Sequence, residues 1–147
     1  MAEMDSLVGF KFSLDLQGTA QGYFKEVSGI GSEHEMIEDK LTTDKGIDFI
    51  KKIPGRLKWN DVTLKRGITD NMDIWDWRKL AEDGDMDAAR KDCSIIMYDR
   101  LGGATARWDF VRAWPSKVSG PEAKSDSNDI GVEEMVLVHE GMTRVKP

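Results

Sequence analysis

The sequence contains little of the side-chain chemistry on which enzymes and disulfide-rich scaffolds depend. Among 147 residues there are one cysteine, two histidines and four prolines. The single thiol, Cys93, cannot form an intrachain disulfide, which excludes a disulfide framework and favours a reducing compartment during assembly. No apolar run approaches the roughly 18–20 residues of a membrane span, so we expect no membrane insertion by the isolated subunit.

The charge balance also excludes a class of partner. The sequence has 21 Lys and Arg against 27 Asp and Glu, a formal net charge of -6. A general nucleic-acid binder needs a net basic face to release counterions from phosphates, and this chain is acidic overall. Five Trp and five Phe supply a hydrophobic core, so we expect one folded domain over residues 1–147.

The candidates for catalysis or metal binding are few. His34 and His139 stand far apart without a spaced partner. Cys93 opens an apolar segment, where burial raises the pKa of a thiol and makes it unreactive. Residues 83–87 carry alternate acids like the start of a calcium loop, but Ala88 occupies the position that needs a glycine. The sequence therefore predicts no enzyme, no cofactor and no metal site.

The distribution of turn residues favours an antiparallel β domain. Fourteen glycines, with Asn, Asp and Ser, divide the sequence into short segments. Residues 56–66 predict a strand with a bulge or kink near Asn60 and Asp61, because its apolar positions change parity there. Residues 104–114 alternate and predict another strand, which is expected to stop before Pro115.

One helix is expected between two of the predicted strands. It begins after the capping residues 69–71 and ends at about Asp83, with Gly84 just past its end. At 100° per residue Ile74 and Trp77 share a face, which predicts that they pack on a sheet. Trp75 falls well off that face and is a candidate for contact with another chain.

Two neighbouring segments lack the pattern of a core strand. Residues 33–39 carry four carboxylates among seven positions and predict a solvated strand or one that faces another copy. Residues 41–52 have no steady periodicity and predict a long connection closed by a turn at Pro54 and Gly55. Burial against other protein chains explains both segments, although they are also compatible with a single soluble domain that has irregular surface segments.

Several segments, taken in order, resemble the tail tube proteins of contractile phages of the T4 type. That family includes the inner tube proteins of extracellular contractile injection systems. The resemblance runs from about Phe10 to Val145, and its segments are residues 24–30, 54–55, 62–67, 75–77, 128–130, 133–134 and 139–141.

The resemblance implies a fold, an assembly and a role. The fold would be mainly β, an antiparallel β-sandwich or half-barrel with one α-helix, six copies of which form a ring with a continuous β-barrel lumen. Rings would stack inside a contractile sheath as the inner tube of a phage tail or tail-like particle. Implied partners are the chain itself, a sheath protein, baseplate or hub and tube-terminating proteins, and DNA or a protein effector as cargo. Assembly would take place in the cytoplasm of the producing cell.

This interpretation assigns candidate residues to two surfaces. The candidate subunit or ring interface comprises Leu41, Thr42, Thr43, Asp44, Lys45, Ile47, Phe49 and Trp75. The candidate lumen-facing residues are Glu33, Glu35, Lys58 and Asn60. Two alternatives stay open. One is a secreted ring or effector carrier of the type VI secretion kind, which usually lacks a segment like residues 62–67. The other is a monomeric small β-barrel binding protein with an apolar cavity.

Overall fold

The computed structural model describes residues 11–16, 19–121 and 131–147. The strands are β1 Lys11–Leu16, β2 Thr19–Phe24, β3 Glu26–Ser28, β4 Ser32–Thr42, β5 Asp48–Trp59, β6 Val62–Gly67, β7 Lys91–Tyr98, β8 Ala104–Ser119, β9 Val132–Val138 and β10 Gly141–Val145. The helices are α1 Asp73–Glu82 and α2 Met86–Ala89. The predicted mainly β, antiparallel class with one main helix is confirmed. Within the described ranges, no helix has the length and apolar character needed to cross a bilayer.

Eight of the ten described strands form one antiparallel path that folds back on itself, and β4 and β5 pair separately. Its order is β2-β1-β7-β8-β9-β6-β3, and β10 lies beside β8. The first part of β8 pairs with β7 and β10, whereas residues 114–119 pair with β9. The two parts meet near Arg112, which has a positive φ of 48° and whose backbone N–H donates to Asp92. This bend makes β8 a member of both layers of a sandwich.

The predicted end of the strand before Pro115 is wrong. β8 runs through Pro115 to Ser119, and Pro115 lies opposite Leu137 of β9. The register shifts between Pro115 and Lys117, so the proline occupies an irregular position. An irregular position tolerates proline because the ladder does not need an N–H there.

The opposite edge of the sandwich is closed by β2 and β3. Only Lys25 separates these two strands, and its backbone N–H donates to the carbonyl of Lys65 at 2.9 Å. The chain therefore leaves the edge of one layer and joins the edge of the other within a single bend. The arrangement is the sandwich or half-barrel that the family resemblance implies.

The space between the layers is filled with side chains from both layers and from α1. Ile74 and Trp77 of the helix are buried, as their spacing predicts. The Trp77 Nε1–H donates to the carbonyl of Ala89 at 2.6 Å, which ties α1 to α2. The predicted burial of Cys93 is confirmed, and it raises the pKa of the thiol to about 12. The buried cluster contains Leu14, Phe24, Val62, Leu64, Ile74, Trp77, Cys93, Ile95, Phe110, Ala113, Met135 and Leu137.

Trp77→Ala is expected to lower the free energy of unfolding of the isolated subunit by about 3–5 kcal/mol, because it leaves a cavity in the core. Urea denaturation followed by circular dichroism measures the loss. Leu101→Ala is the control, since Leu101 is 87% exposed and its truncation should change stability little. Equal losses in the two variants would show that Trp77 does not hold the core together.

Candidate functional site

A long hairpin, formed by β4 and β5, extends from the sandwich; we call residues 32–59 the arm. Its strands have 11 and 12 residues and pair with each other in a two-stranded sheet of their own. Almost every arm residue is exposed or only half-buried. At roughly 3.3 Å per residue the arm reaches about 35 Å. A two-stranded hairpin of this kind is marginally stable by itself in water, so contact with another chain would stabilise the arm.

The arm continues a ladder that begins in the core. Ser28 pairs with Thr63 in β3 and β6, and Ser32 pairs with Trp59 in the same register. Between them the Asn60 N–H donates to the Gly31 carbonyl at 3.1 Å. Gly29 has a φ of 86°, and a Cβ there would come within 2.1 Å of the Asp61 carbonyl oxygen. The predicted kink near residues 60–61 is confirmed, and Gly29 permits the close approach that forms it.

The predicted turn at Pro54 and Gly55 is wrong, because these residues lie inside β5. The register shifts between His34 and Met36, where β5 has one residue more than β4. A Cβ on Gly55 would come within 2.9 Å of the Glu35 carbonyl oxygen. The glycine thus accommodates a β-bulge, which increases the local twist of the arm.

The predicted long connection is also wrong, because residues 41–52 form the outer part of the arm. Leu41 pairs with Phe49, and a turn over residues 43–47 joins the strands. The Thr43 N–H donates to the Ile47 carbonyl at 2.8 Å, and the Gly46 N–H donates to the Thr43 carbonyl at 2.9 Å. With no buried face, these strands lack the period-2 alternation that identifies a strand in sequence.

Each face of the arm mixes apolar pairs with pairs of opposite charge. Directly paired residues of an antiparallel hairpin share a face. One face carries the pairs Ile37–Ile53, Asp39–Lys51 and Leu41–Phe49, and the other carries His34–Leu57, Met36–Pro54, Glu38–Lys52 and Lys40–Ile50. Met36 is 60% exposed, Ile50 is 53% exposed and Phe49 is 43% exposed. Such apolar groups, ringed by charges, are typical of surfaces that other protein chains cover.

The candidate lumen residues lie at the end of the arm nearest the sandwich, which we call its root. Glu33 is directly opposite Lys58, and Glu35 shares that face by its position along β4. Asn60 follows β5, beside Gly31, in the segments that connect the arm to the sandwich; we call these segments, residues 29–31 and 60–61, the joint. The structure brings these four residues together at one end of the arm. Their exposure to a lumen stays a prediction, because it depends on neighbouring copies.

The helical position of Trp75 predicts that its side chain lies off the packed surface, but in the structure it packs there. Its Nε1–H donates to Glu133 Oε1 at 2.8 Å, and its ring packs against the buried cluster. The other carboxylate oxygen of Glu133 pairs with Arg66 Nε at 3.0 Å, and both charged side chains are buried. The glutamate on β9 supplies a buried partner that helical periodicity cannot reveal. A role for Trp75 in contact with another copy stays a prediction.

An aromatic contact holds the root of the arm against the core. The His139 ring lies between Trp59, at a centroid distance of 5.8 Å, and Phe110, at 4.8 Å. Burial lowers the pKa of His139 below its ordinary 6.5, outweighing the charge of Asp61, which favours protonation. The sequence marks His139 only as an isolated histidine, because its partners are distant in the chain.

The described side chains contain no other arrangement that suggests chemistry. Nowhere in residues 11–16, 19–121 and 131–147 do three His, Cys, Asp or Glu side chains come together as a metal site.

Comparison with known proteins identifies the family. The model of the T4-like virus tail tube protein gp19 family matches residues 8–143. The chain belongs to this tail tube family. The resemblance expected from the ordered segments is thereby confirmed, and the chain is a structural tube subunit. A search of curated protein sequences finds no match for this tail tube protein.

Solved structures share the fold of this tail tube protein. A chain of the PVC sheath–tube complex, an extracellular contractile injection system in its extended state, has a TM-score of 0.70 at 22% identity and covers 92% of this chain and 88% of its own. A chain of the anti-feeding prophage cap has a TM-score of 0.70 at 21% identity with the same coverage. Hcp1 from Flavobacterium johnsoniae has a TM-score of 0.53 at 14% identity, covering 91% of this chain and 94% of its own.

The buried imidazole at the arm root predicts a pH-dependent stability. The pKa of His139 is lowered on folding, so the neutral ring stabilises the native tail tube subunit. That contribution is fully present above pH 6.5 and is lost as the pH falls through the lowered folded pKa. Urea midpoints of the wild type should fall more between about pH 7.5 and about pH 5 than those of His139→Gln. Parallel pH profiles of the two proteins would contradict this assignment.

Proposed function

We propose that six copies of this tail tube protein close into a ring and that the rings stack into a hollow tube inside a contractile sheath. The observation that carries the proposal is the arm, which presents apolar pairs on both faces and projects beyond the sandwich. Covering it requires another protein chain, and membership of the tail tube family makes a second copy the natural partner.

The strand edges of the arm support the same conclusion. Among the described strands β4 and β5 pair only with each other, so both leave their outer N–H and C=O groups unpaired. Open edges of this length invite uncontrolled pairing unless neighbouring copies cover them. Closing the sheets of adjacent subunits into one barrel removes those edges and builds a continuous wall. In this arrangement Glu33, Glu35, Lys58 and Asn60 line the lumen, at the end of the arm nearest the sandwich.

The role that follows is mechanical, and we assign no catalytic activity to the subunit. Contraction of the sheath drives the tube through a target envelope, and the tube conducts DNA or a protein effector. Similar folds occur in a sheath–tube complex, a terminating cap and a baseplate, which supports contacts with such components here. The subunit would assemble in the cytoplasm of the producing cell and then become part of the particle. An acidic chain suits a conduit that must not retain anionic cargo.

A second candidate is a secreted ring or effector carrier of the type VI secretion kind. The likeness to Hcp1 and to another type six secretion system protein favours it, although that likeness extends to the fold alone. The two candidates differ in whether purified rings stack into long tubes.

Negative-stain electron microscopy of the purified full chain over a range of concentrations tests the proposal. Hollow tubes built of stacked six-fold rings are the expected result. Separate rings that never stack would favour the type VI alternative. A strict monomer at every concentration would overturn both.

Shortening the arm should prevent assembly without unfolding the subunit. Replacing residues 39–51 with Asn-Gly leaves the Glu38–Lys52 pair next to a tight turn and removes the outer apolar pairs. The circular dichroism spectrum and the melting transition should stay close to those of the wild type, because the buried cluster contains no arm residue. Rings and tubes should disappear in micrographs and in sedimentation. Normal tubes from the shortened chain would show that the arm is dispensable.

A further inference from the structure

A basic cleft lies beside β2 and β6. Its volume is about 540 Å³, within the roughly 300–1,000 Å³ of sites that hold small ligands or a few side chains. Lys11, Lys25 and Arg66 line it, and none of its described lining residues is acidic. Tyr23 is 62% exposed and Ile68 is 50% exposed at its wall. The cleft thus offers positive charge beside exposed apolar surface.

The cleft and the arm lie at opposite ends of one ladder. The arm joins β6 at Val62, whereas Gly67, the last residue of β6, lines the cleft. The neighbouring strand β3 runs in the same way. It ends at Ser28 on the side of the arm, and Lys25, which directly precedes its first residue, lines the cleft. A projection at one end and a recess at the other suit a head-to-tail contact, which repeats from copy to copy.

The apex of the arm complements the cleft in charge and in apolar character. Residues 43–48 carry two carboxylates and one amine. Asp48 already accepts a hydrogen bond from Thr42 Oγ1 at 2.9 Å, while Asp44 is exposed and makes no ion pair with a described residue. Ile47, beside it, is 62% exposed. One carboxylate and one large apolar side chain thus stand at the tip.

We propose that the arm apex of one copy docks in this cleft of a second copy, with Asp44 near Lys11 and Lys25 and Ile47 against Tyr23 and Ile68. The contact rests on the tube function proposed above and specifies which surface of the neighbour receives the arm. Arg66 is neutralised by Glu133, so the two lysines supply the attraction for Asp44. Ile47 and the cleft wall bury apolar surface that both copies otherwise expose to water.

Charge reversal tests the polar half of the contact. Lys25→Glu and Asp44→Lys should each raise the protein concentration needed for tube formation about tenfold, because each places like charges together. The double variant in one chain should return to within about threefold of the wild type, since the pair is restored with its signs exchanged. Lys117→Glu is the matched control, because Lys117 is an exposed lysine outside the cleft. Reversals without effect, or a double variant no better than the singles, would overturn the contact.

Cysteine cross-linking tests the apolar half. The native thiol of Cys93 is buried, so Ile47→Cys and Ile68→Cys introduce the reactive pair. Oxidised assemblies of the double variant should give a ladder of covalent oligomers longer than dimers on non-reducing gels. Each single variant should give no ladder, because a head-to-tail contact brings residue 47 to residue 68 and not to its own equivalent. Intact tubes of the double variant without a ladder would overturn the contact.

The two proposals fail in different ways. Wild-type chains that stay monomeric would overturn the tube function and this contact with it. Tubes that form equally well in every variant would overturn the contact alone and leave the tube function standing.

Discussion

The structure depends on one backbone ladder that crosses from the core into solvent. β3 and β6 pair inside the sandwich, and β4 and β5 keep the same register beyond the joint at Gly29 as far as the bulge after His34. In the core the ladder is stabilised by Val62 and Leu64, which are fully buried. In the arm the same hydrogen bonding continues without a packed face, and a two-stranded hairpin of this kind is only marginally stable by itself in water. In the proposed assembly, neighbouring chains supply the missing contacts.

The buried charges hold the end of that ladder opposite to the arm. Arg66 and Glu133 pair across β6 and β9, and Trp75 and Asn71 add hydrogen bonds from α1 and from the loop before it. Removing one partner of a buried ion pair leaves an uncompensated charge, which is far costlier than losing a surface pair. The network therefore fixes the helix and the cleft wall relative to the strands, independently of the arm.

The parts of the fold that the sequence predicts are those with one buried face. Ile74 and Trp77 are found by helical spacing because solvent and core lie on opposite sides of α1. Periodicity fails for the outer arm, since both of its faces are exposed, and it fails for Trp75, whose partner Glu133 is 58 residues away. The order of the family's segments predicts the role, yet the arm geometry and the cleft emerge only from long-range pairing.

The joint explains how the arm's direction can persist while surface side chains differ. The backbone at Gly29 lies so close to the backbone at Asp61 that a Cβ on residue 29 would clash with the Asp61 carbonyl oxygen. The direction of the arm is therefore determined by main-chain contacts, with the Trp59–His139 packing as support. Surface residues on the arm can then change without redirecting it. A TM-score of 0.70 at 22% identity with a chain of the PVC sheath–tube complex is consistent with a fold specified in this way. In the proposed assembly, side chains then determine the complementarity between copies, on a geometry that the backbone already provides.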